Sequence, residues 1–221
     1  MRRVLVLRPE PGASATVAKA RTMGLDAAAA PLFEIEPIAW EPPEPAAFDG
    51  LLLTSANAVR SGGEQLASLR GLPVYAVGDA TAQAARDSGF DVASAGDAGV
   101  DRLLDSLEPD LKLLHPCGEE RREPHHARQA ITPVIVYRAK AIERPDLSDA
   151  NGALVLVHSP RAGLRLSELV DVRGAIAIAA ISPAAAEAAG RGWERVESAE
   201  APSDEALLAL AARLCNKRQA G

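Results

Sequence analysis

Short runs of apolar residues recur along the chain, each followed by a polar or glycine-bearing turn and then by a stretch of helical composition. Residues 4–7 form the first such run. Residues 13–23 read as a helix that Gly24 stops, and residues 26–35 return to a strand. Four prolines follow, Pro37, Pro42, Pro43 and Pro45. Proline lacks an N–H and is excluded from helix interiors and central strands, so this stretch marks a crossing into a second domain. Beyond it the pattern predicts strand 51–54, helix 58–69, strand 73–77, helix 80–88, strand 91–95, helix 100–107, strand 112–115 and a helix after Arg122. Residues 135–142 alternate as a strand does. Gly152 precedes strand 153–157, and the alternation resumes up to a last helix over 204–214, with Ser203 as its N-cap and 216–221 as a frayed tail.

Two of these units occur twice. Leu51-Leu52-Leu53-Thr54-Ser55-Ala56-Asn57 returns as Leu154-Val155-Leu156-Val157-His158-Ser159-Pro160, and Val77-Gly78-Asp79-Ala80-Thr81 returns as Ile181-Ser182-Pro183-Ala184-Ala185. So long a period predicts a duplicated domain rather than a solenoid. Alternating strands and helices predict parallel sheets flanked by helices. The expected fold is therefore α/β: two similar flavodoxin-like α/β/α domains joined by a two-stranded connector. The first 35 residues hold too few elements to close a core. Residues 1–35 and 143–221 are expected to form one discontinuous domain and 36–142 an inserted one, with connectors near 33–38 and 134–142. A cleft between two such domains is the expected place for a small ligand.

Composition narrows the class. Aromatic residues make up only 3% of the 221, so the cores must be built from Ala, Leu, Val and Ile. No apolar run reaches the ~18 residues of a membrane span. The first eight residues are too short for a signal peptide and Pro9-Glu10 follow at once, so the expected location is the cytoplasm. Cys117 and Cys215 then read as small buried hydrophobes rather than as a disulfide. His125-His126 adjoin no cysteine or acidic set at ligand spacing, which gives no metal site. The net charge is −6, and residues 37–142 carry ten basic against fifteen acidic groups. No basic cluster is interleaved with aromatics, so nucleic acid is not an expected partner.

The chemistry is expected beyond the carboxyl ends of the strands, where open parallel sheets bind ligands. The residues there are Arg8-Pro9, Thr54-Ser55-Ala56-Asn57, Gly78-Asp79-Ala80-Thr81, His115 to Gly118, His158-Ser159-Pro160 and Ser182-Pro183. Most are small or hydroxylated and most lead into a helix, whose first N–H groups are unpaired and whose dipole favours anions. Ser, Thr, Asn and Asp also cap helices for structural reasons alone; recurrence in both halves lifts the set. Gly-x-Ser-x-Gly, Walker and Gly-x-Gly-x-x-Gly signatures are missing. A ligand bearing several carboxylates or phosphates fits these turns. The net negative charge does not oppose it, because charges beyond about 8 Å are screened at physiological salt.

In their order and spacing, Leu7-Arg8-Pro9, Thr54-Ser55-x-Asn57-Ala58-Val59, Val77-Gly78-Asp79-Ala80-Thr81-Ala82, Val136-Tyr137-Arg138 and Ile181-Ser182-Pro183 resemble the uroporphyrinogen-III synthase family over essentially the whole chain. The resemblance implies a monomer that uses no cofactor. Its substrate would be hydroxymethylbilane, a linear tetrapyrrole polycarboxylate, whose terminal hydroxyl leaves as water while the ring closes and the last pyrrole inverts. It implies Tyr137 as the group that protonates or orients the departing hydroxyl, and Thr81 beside substrate carboxylates. Arg8, Thr54, Ser55, Asn57, Gly78, Gly118, Ser159 and Ser182 complete the expected substrate-binding set. The chain departs from the family at Ala184 and Ala185, where threonines are common, and at His115-Pro116-Cys117-Gly118, a loop that many relatives begin with arginine; Arg121 or Arg122 is the candidate substitute.

Two other classes share parts of this pattern. A non-catalytic two-domain binding protein has the same bilobal plan, but needs an export signal or an attached DNA-binding module. A flavodoxin-like electron carrier stacks its flavin on aromatics, and none of the two Trp and two Tyr falls in a strand-end loop.

Overall fold

The computed structural model describes residues 2–96, 99–121 and 123–216. Arg122 and residues 217–221 of the expected frayed tail lie outside the described residues. The chain divides into two compact units, Met1–Glu34 with Ala141–Gly221, and Ile35–Lys140.

The first unit holds a five-stranded sheet of β1 (Val4–Val6), β2 (Ala27–Ala29), β9 (Leu154–Val157), β10 (Ala177–Ala180) and β11 (Arg195–Ser198), in the order β11-β10-β9-β1-β2. Every pairing is parallel. β1, β9 and β10 are uninterrupted apolar runs because both faces are covered. Val4, Val6, Leu154, Leu156, Ala177 and Ala179 join α1 (Gly12–Thr22) and α8 (Asp204–Asn216) in one core cluster. The alternate residues Leu5, Val155 and Ile178 are equally buried, as the period-2 geometry of a doubly covered strand requires. Helices α6 (Pro160–Leu169) and α7 (Pro183–Ala189) pack so closely that a Cβ on Gly163 would stand 2.7 Å from the carbonyl oxygen of Ala185. That contact explains the glycine at position 163 of α6.

The second unit holds six strands in the order β3-β8-β7-β4-β5-β6: β3 (Phe33–Pro37), β4 (Gly50–Leu53), β5 (Val74–Val77), β6 (Val92–Gly96), β7 (Lys112–Gly118) and β8 (Ala130–Ala141). β4 to β8 pair in parallel. The N–H of Ile38 donates to Val136 O and that of Ile142 to Leu32 O, so β3 and β8 run antiparallel. The chain thus passes between the units along two paired strands, with Glu36 bound to Arg138 and Lys140 across them.

The structure redraws several elements. The strand expected over 26–35 is β2 and β3, broken at Ala30–Leu32. The helix expected over 58–69 is α2 (Ala56–Ser61) and α3 (Gly63–Ala67), because Gly63 adopts φ +62 at the break. The strand expected to stop at residue 115 runs through Pro116 to Gly118. No helix forms over 123–129. The Gln129 side chain donates instead to the carbonyls of Leu104, Leu107 and Glu108 at the end of α5 (Val100–Asp105). Ser203 does cap α8, accepting from Ala206 N at 3.2 Å. No helix among the described residues is long and apolar enough to cross a membrane.

Candidate functional site

In doubly wound sheets the strand order reverses at one point, and the crevice beyond the strand ends at that point is the usual ligand position. In the first unit the reversal lies between β1 and β9, and in the second between β4 and β7. Several of the expected site residues of each unit lie at the strand ends beside it.

In the second unit, β4 delivers Thr54 and Ser55. Ser55 caps α2, its Oγ accepting from Asn57 N at 3.2 Å. β7 ends on Gly118 beside Tyr137 of β8. The register of the β7/β8 pair slips by one residue here: Cys117 faces Ile135, whereas Gly118 faces Tyr137. Such a bulge re-aims a side chain at a sheet rim. A Cβ on Gly118 would stand 2.7 Å from Tyr137 Cζ and 2.9 Å from its hydroxyl oxygen. The phenol therefore lies on the bare Cα of Gly118. Burial raises its pKa above the ordinary value near 10, against a hydrogen bond with Ser55 that opposes the shift. At neutral pH Tyr137 is a neutral phenol and a hydrogen-bond donor.

Two neighbours of this group stand in the expected strand-end loop without an assigned role. His115 is almost fully buried, and its Nε2 lies 3.0 Å from Thr54 Oγ1. Burial, with the nearby Arg121 charge, pushes its pKa down to about 4, so the imidazole is neutral at physiological pH. Cys117 is buried against Val134 O at 3.5 Å; burial raises its thiol pKa, while Arg121 acts the other way. Arg121 thus sits by both strand-end groups, and its Nη2 lies 3.4 Å from Glu123 Oε1. The structure brings Thr54, Ser55, Asn57, Gly118 and Tyr137 together. Gly78 and Thr81 stand at the end of the next strand, β5. Gly78 (φ +83) precedes α4 (Asp79–Asp87), and nothing would lie within 4 Å of a Cβ there. Thr81 is buried in the first turn of α4.

In the first unit, Arg8 leaves β1, His158 and Ser159 leave β9, and Ser182 leaves β10. Ser159 Oγ accepts from Ala162 N at 3.1 Å and Ser182 Oγ from Ala185 N at 3.3 Å, so both serines are N-caps. Their oxygens are engaged by the helices, which leaves the hydroxyl protons for other acceptors. Asp204, the first residue of α8, ties the switch point together. Its Oδ1 lies 3.3 Å from His158 Nε2 and 3.6 Å from Arg8 Nη1, and Thr16 donates its hydroxyl to the carboxylate at 3.0 Å. Burial alone would raise Asp204, but the bonds from His158 and Thr16 and the Arg8 charge outweigh it and hold its pKa at about 2. Burial lowers the His158 pKa below its ordinary value, while the hydrogen bond with Asp204 acts the other way. The sequence signal for Asp204 was an acid beside a capping serine, which marks a helix start wherever it occurs.

Two doubly wound α/β units, each with hydroxyls and an arginine beyond its strand ends, define the class of the fold. The family profile described as Uroporphyrinogen-III synthase HemD matches residues 14–209. The fold is similar to that of the uroporphyrinogen-III synthetase of Helicobacter pylori 26695, at 20% identity and a TM-score of 0.66 over 97% of this chain and 100% of that one. It is also similar to a mutant uroporphyrinogen-III synthase of the extremely thermophilic bacterium Thermus thermophilus, at 17% identity and a TM-score of 0.51 over 98% and 100%. No curated protein sequence is a significant match. The chain belongs to the uroporphyrinogen-III synthase family, cyclising lyases of tetrapyrrole biosynthesis.

Proposed function

We propose that this chain takes hydroxymethylbilane, a linear tetrapyrrole polycarboxylate, and closes it with loss of water and inversion of the last pyrrole. The observation that carries the reading is the Tyr137 phenol, held on Gly118 by burial and by Ser55 at the switch point of the second unit, in a chain of this family. The pyrrole nitrogen drives the hydroxyl out as water, so the leaving step needs only a weak donor. Tyr137 supplies a neutral O–H to that oxygen. The harder task is geometric: the substituted carbon of the last ring, not the nearer open one, must meet the electrophile. Fixing two reacting groups in one molecule is worth roughly 7–11 kcal/mol in the best cases. Strand-end N–H groups, capping hydroxyls and Arg8 serve that task by gripping the carboxylates. The enzyme works as a monomer in the cytoplasm on this reading.

Tyr137→Phe tests the division of labour. It keeps the ring on Gly118 and removes only the O–H. Turnover of hydroxymethylbilane is expected to fall about 10-fold, below the ~10²–10⁴-fold of a full general acid. Abolished turnover in a folded variant would make acid catalysis the dominant effect. Thr81→Ala is expected to raise KM several-fold with kcat nearly unchanged, since loss of a carboxylate contact made in both ground and transition states weakens binding only. Wild-type kinetics in that variant would remove Thr81 from the site.

A further inference from the structure

Arg8 does not extend freely from β1. It lies across the first turn of α1, where a Cβ on Gly12 would stand 2.7 Å from Arg8 Nε, 3.0 Å from Cζ and 3.2 Å from Nη2. A helix N-terminus carries partial positive charge, an unfavourable resting place for a cation unless carboxylates compensate; Glu10 does so in part, its Oε2 accepting from Ser14 N at 3.0 Å. Asp204 also compensates. Its Oδ1 lies 3.6 Å from Arg8 Nη1. Thr16 bridges the two, accepting from Nη1 at 3.4 Å and donating to the carboxylate, 3.0 Å from Oδ1 and 3.2 Å from Oδ2. His158 Nε2 at 3.3 Å and Lys19 Nζ at 3.5 Å hold the same carboxylate from other sides. Asp204 is thereby fixed and largely buried, whereas the Arg8 side chain keeps 38% of its surface exposed. The bonds just named engage one nitrogen of Arg8, Nη1, and a guanidinium has a second edge able to take a carboxylate in parallel hydrogen bonds.

We propose that Asp204 is a positioning residue for the substrate. Clamped by Thr16 and His158, it holds the Arg8 guanidinium over Gly12, so that the part left exposed meets a carboxylate of the bilane already oriented. The proposal rests on the synthase reading above and adds the group that prepares its cation. An unrestrained arginine must lose the freedom of its long side chain when it binds; one already held by Asp204 has lost it beforehand. Gly12 belongs to the same device, since any side chain there would displace the guanidinium.

The test is a set of kinetic cycles with hydroxymethylbilane, using Asp204→Asn, Gly12→Ala, Arg8→Gln and the two doubles that contain Arg8→Gln. Asp204→Asn is expected to raise KM about 10-fold and leave kcat within about twofold, the signature of lost binding common to ground and transition states. Gly12→Ala is expected to raise KM similarly while Tm holds or rises, because the atoms in its way are the end of a flexible side chain and alanine favours a helix over glycine. In the Arg8→Gln background neither change raises KM further, since no guanidinium remains to be placed. If Asp204→Asn does not fold, Gly12→Ala and its double carry the cycle. Full additivity with Arg8→Gln, or a fall in kcat at constant KM, overturns the positioning role while wild-type turnover leaves the synthase reading standing. A wild-type protein that leaves the bilane to close at its spontaneous rate overturns that reading, and the proposal with it.

Discussion

Gly118→Ala is expected to lower turnover at least as far as Tyr137→Phe does, by about 10- to 100-fold, although the change adds a single methyl group. The new Cβ would stand 2.7 Å from Tyr137 Cζ and 3.0 Å from Cε2, distances that carbon atoms do not tolerate. What blocks it is an aromatic ring, which cannot fold aside as the end of a lysine can. Tyr137 is tied at its hydroxyl to Ser55 and at its backbone, where its carbonyl accepts from Glu119 N at 2.9 Å. The ring must therefore tilt off the rim. A displacement of about 1 Å in a positioned group can cost on the order of 10²-fold, and overpacking of this kind typically costs about 1–3 kcal/mol of stability. Urea unfolding and steady-state kinetics read the two effects. Tyr137→Ala, which removes the ring, is expected to relieve the stability loss of Gly118→Ala but not the loss of activity. Wild-type kinetics in Gly118→Ala would show that the phenol's position is immaterial.

The second large effect concerns acid. His115 has an ordinary pKa of 6.5 and a folded value of about 4. Between those values the unfolded chain takes up a proton that the folded protein refuses. Neutral His115 therefore costs nothing above pH 6.5. Stability falls as pH drops below 6.5, and the loss is complete once pH passes below about 4. The difference between the two values converts to roughly 3 kcal/mol, at about 1.4 kcal/mol for each pH unit. Asp204 does not contribute in this window, because the folded protein keeps it ionised down to about pH 2; its own contribution is lost as pH falls from 3.8 toward 2. His115→Gln, whose amide can still reach Thr54, is expected to flatten the slope of stability against pH by up to one proton between pH 6.5 and 4. Equilibrium unfolding at pH 7.5, 5.5 and 4.5 measures this. An unchanged slope would mean that His115 is protonated in the folded protein at pH 5 and is hydrogen-bonded differently.

The elements most readable from the sequence were those in which one local rule suffices. The runs 51–54 and 153–157 read as buried strands because they are uninterrupted and end on hydroxyl turns, and β4 and β9 lie there. Gly24, with φ +78, stopped the first helix as expected. Errors arose where a tertiary partner decided. Nothing local indicates that residues 123–129 are held by Gln129 reaching three carbonyls rather than by a helix of their own. Pro116 looked like the end of a strand, yet parallel pairing with Val134 continues through it. The candidate site divides in the same way. Turn residues such as Ser55, Ser159 and Ser182 announce themselves as caps. Contacts made by pairing across the sheet do not: Tyr137 on Gly118 depends on a one-residue bulge, and Arg8 with Asp204 joins the two ends of the chain.

The central claim is that the protein imposes a fold on a bilane that closes differently by itself. The decisive measurement is the isomer composition of the macrocycle formed from hydroxymethylbilane, oxidised to porphyrin and separated, with and without the protein. The inverted type III isomer should dominate when the protein is present, and the uninverted type I isomer when it is absent. Type I as the sole product, formed at the same rate in both samples, would contradict the account.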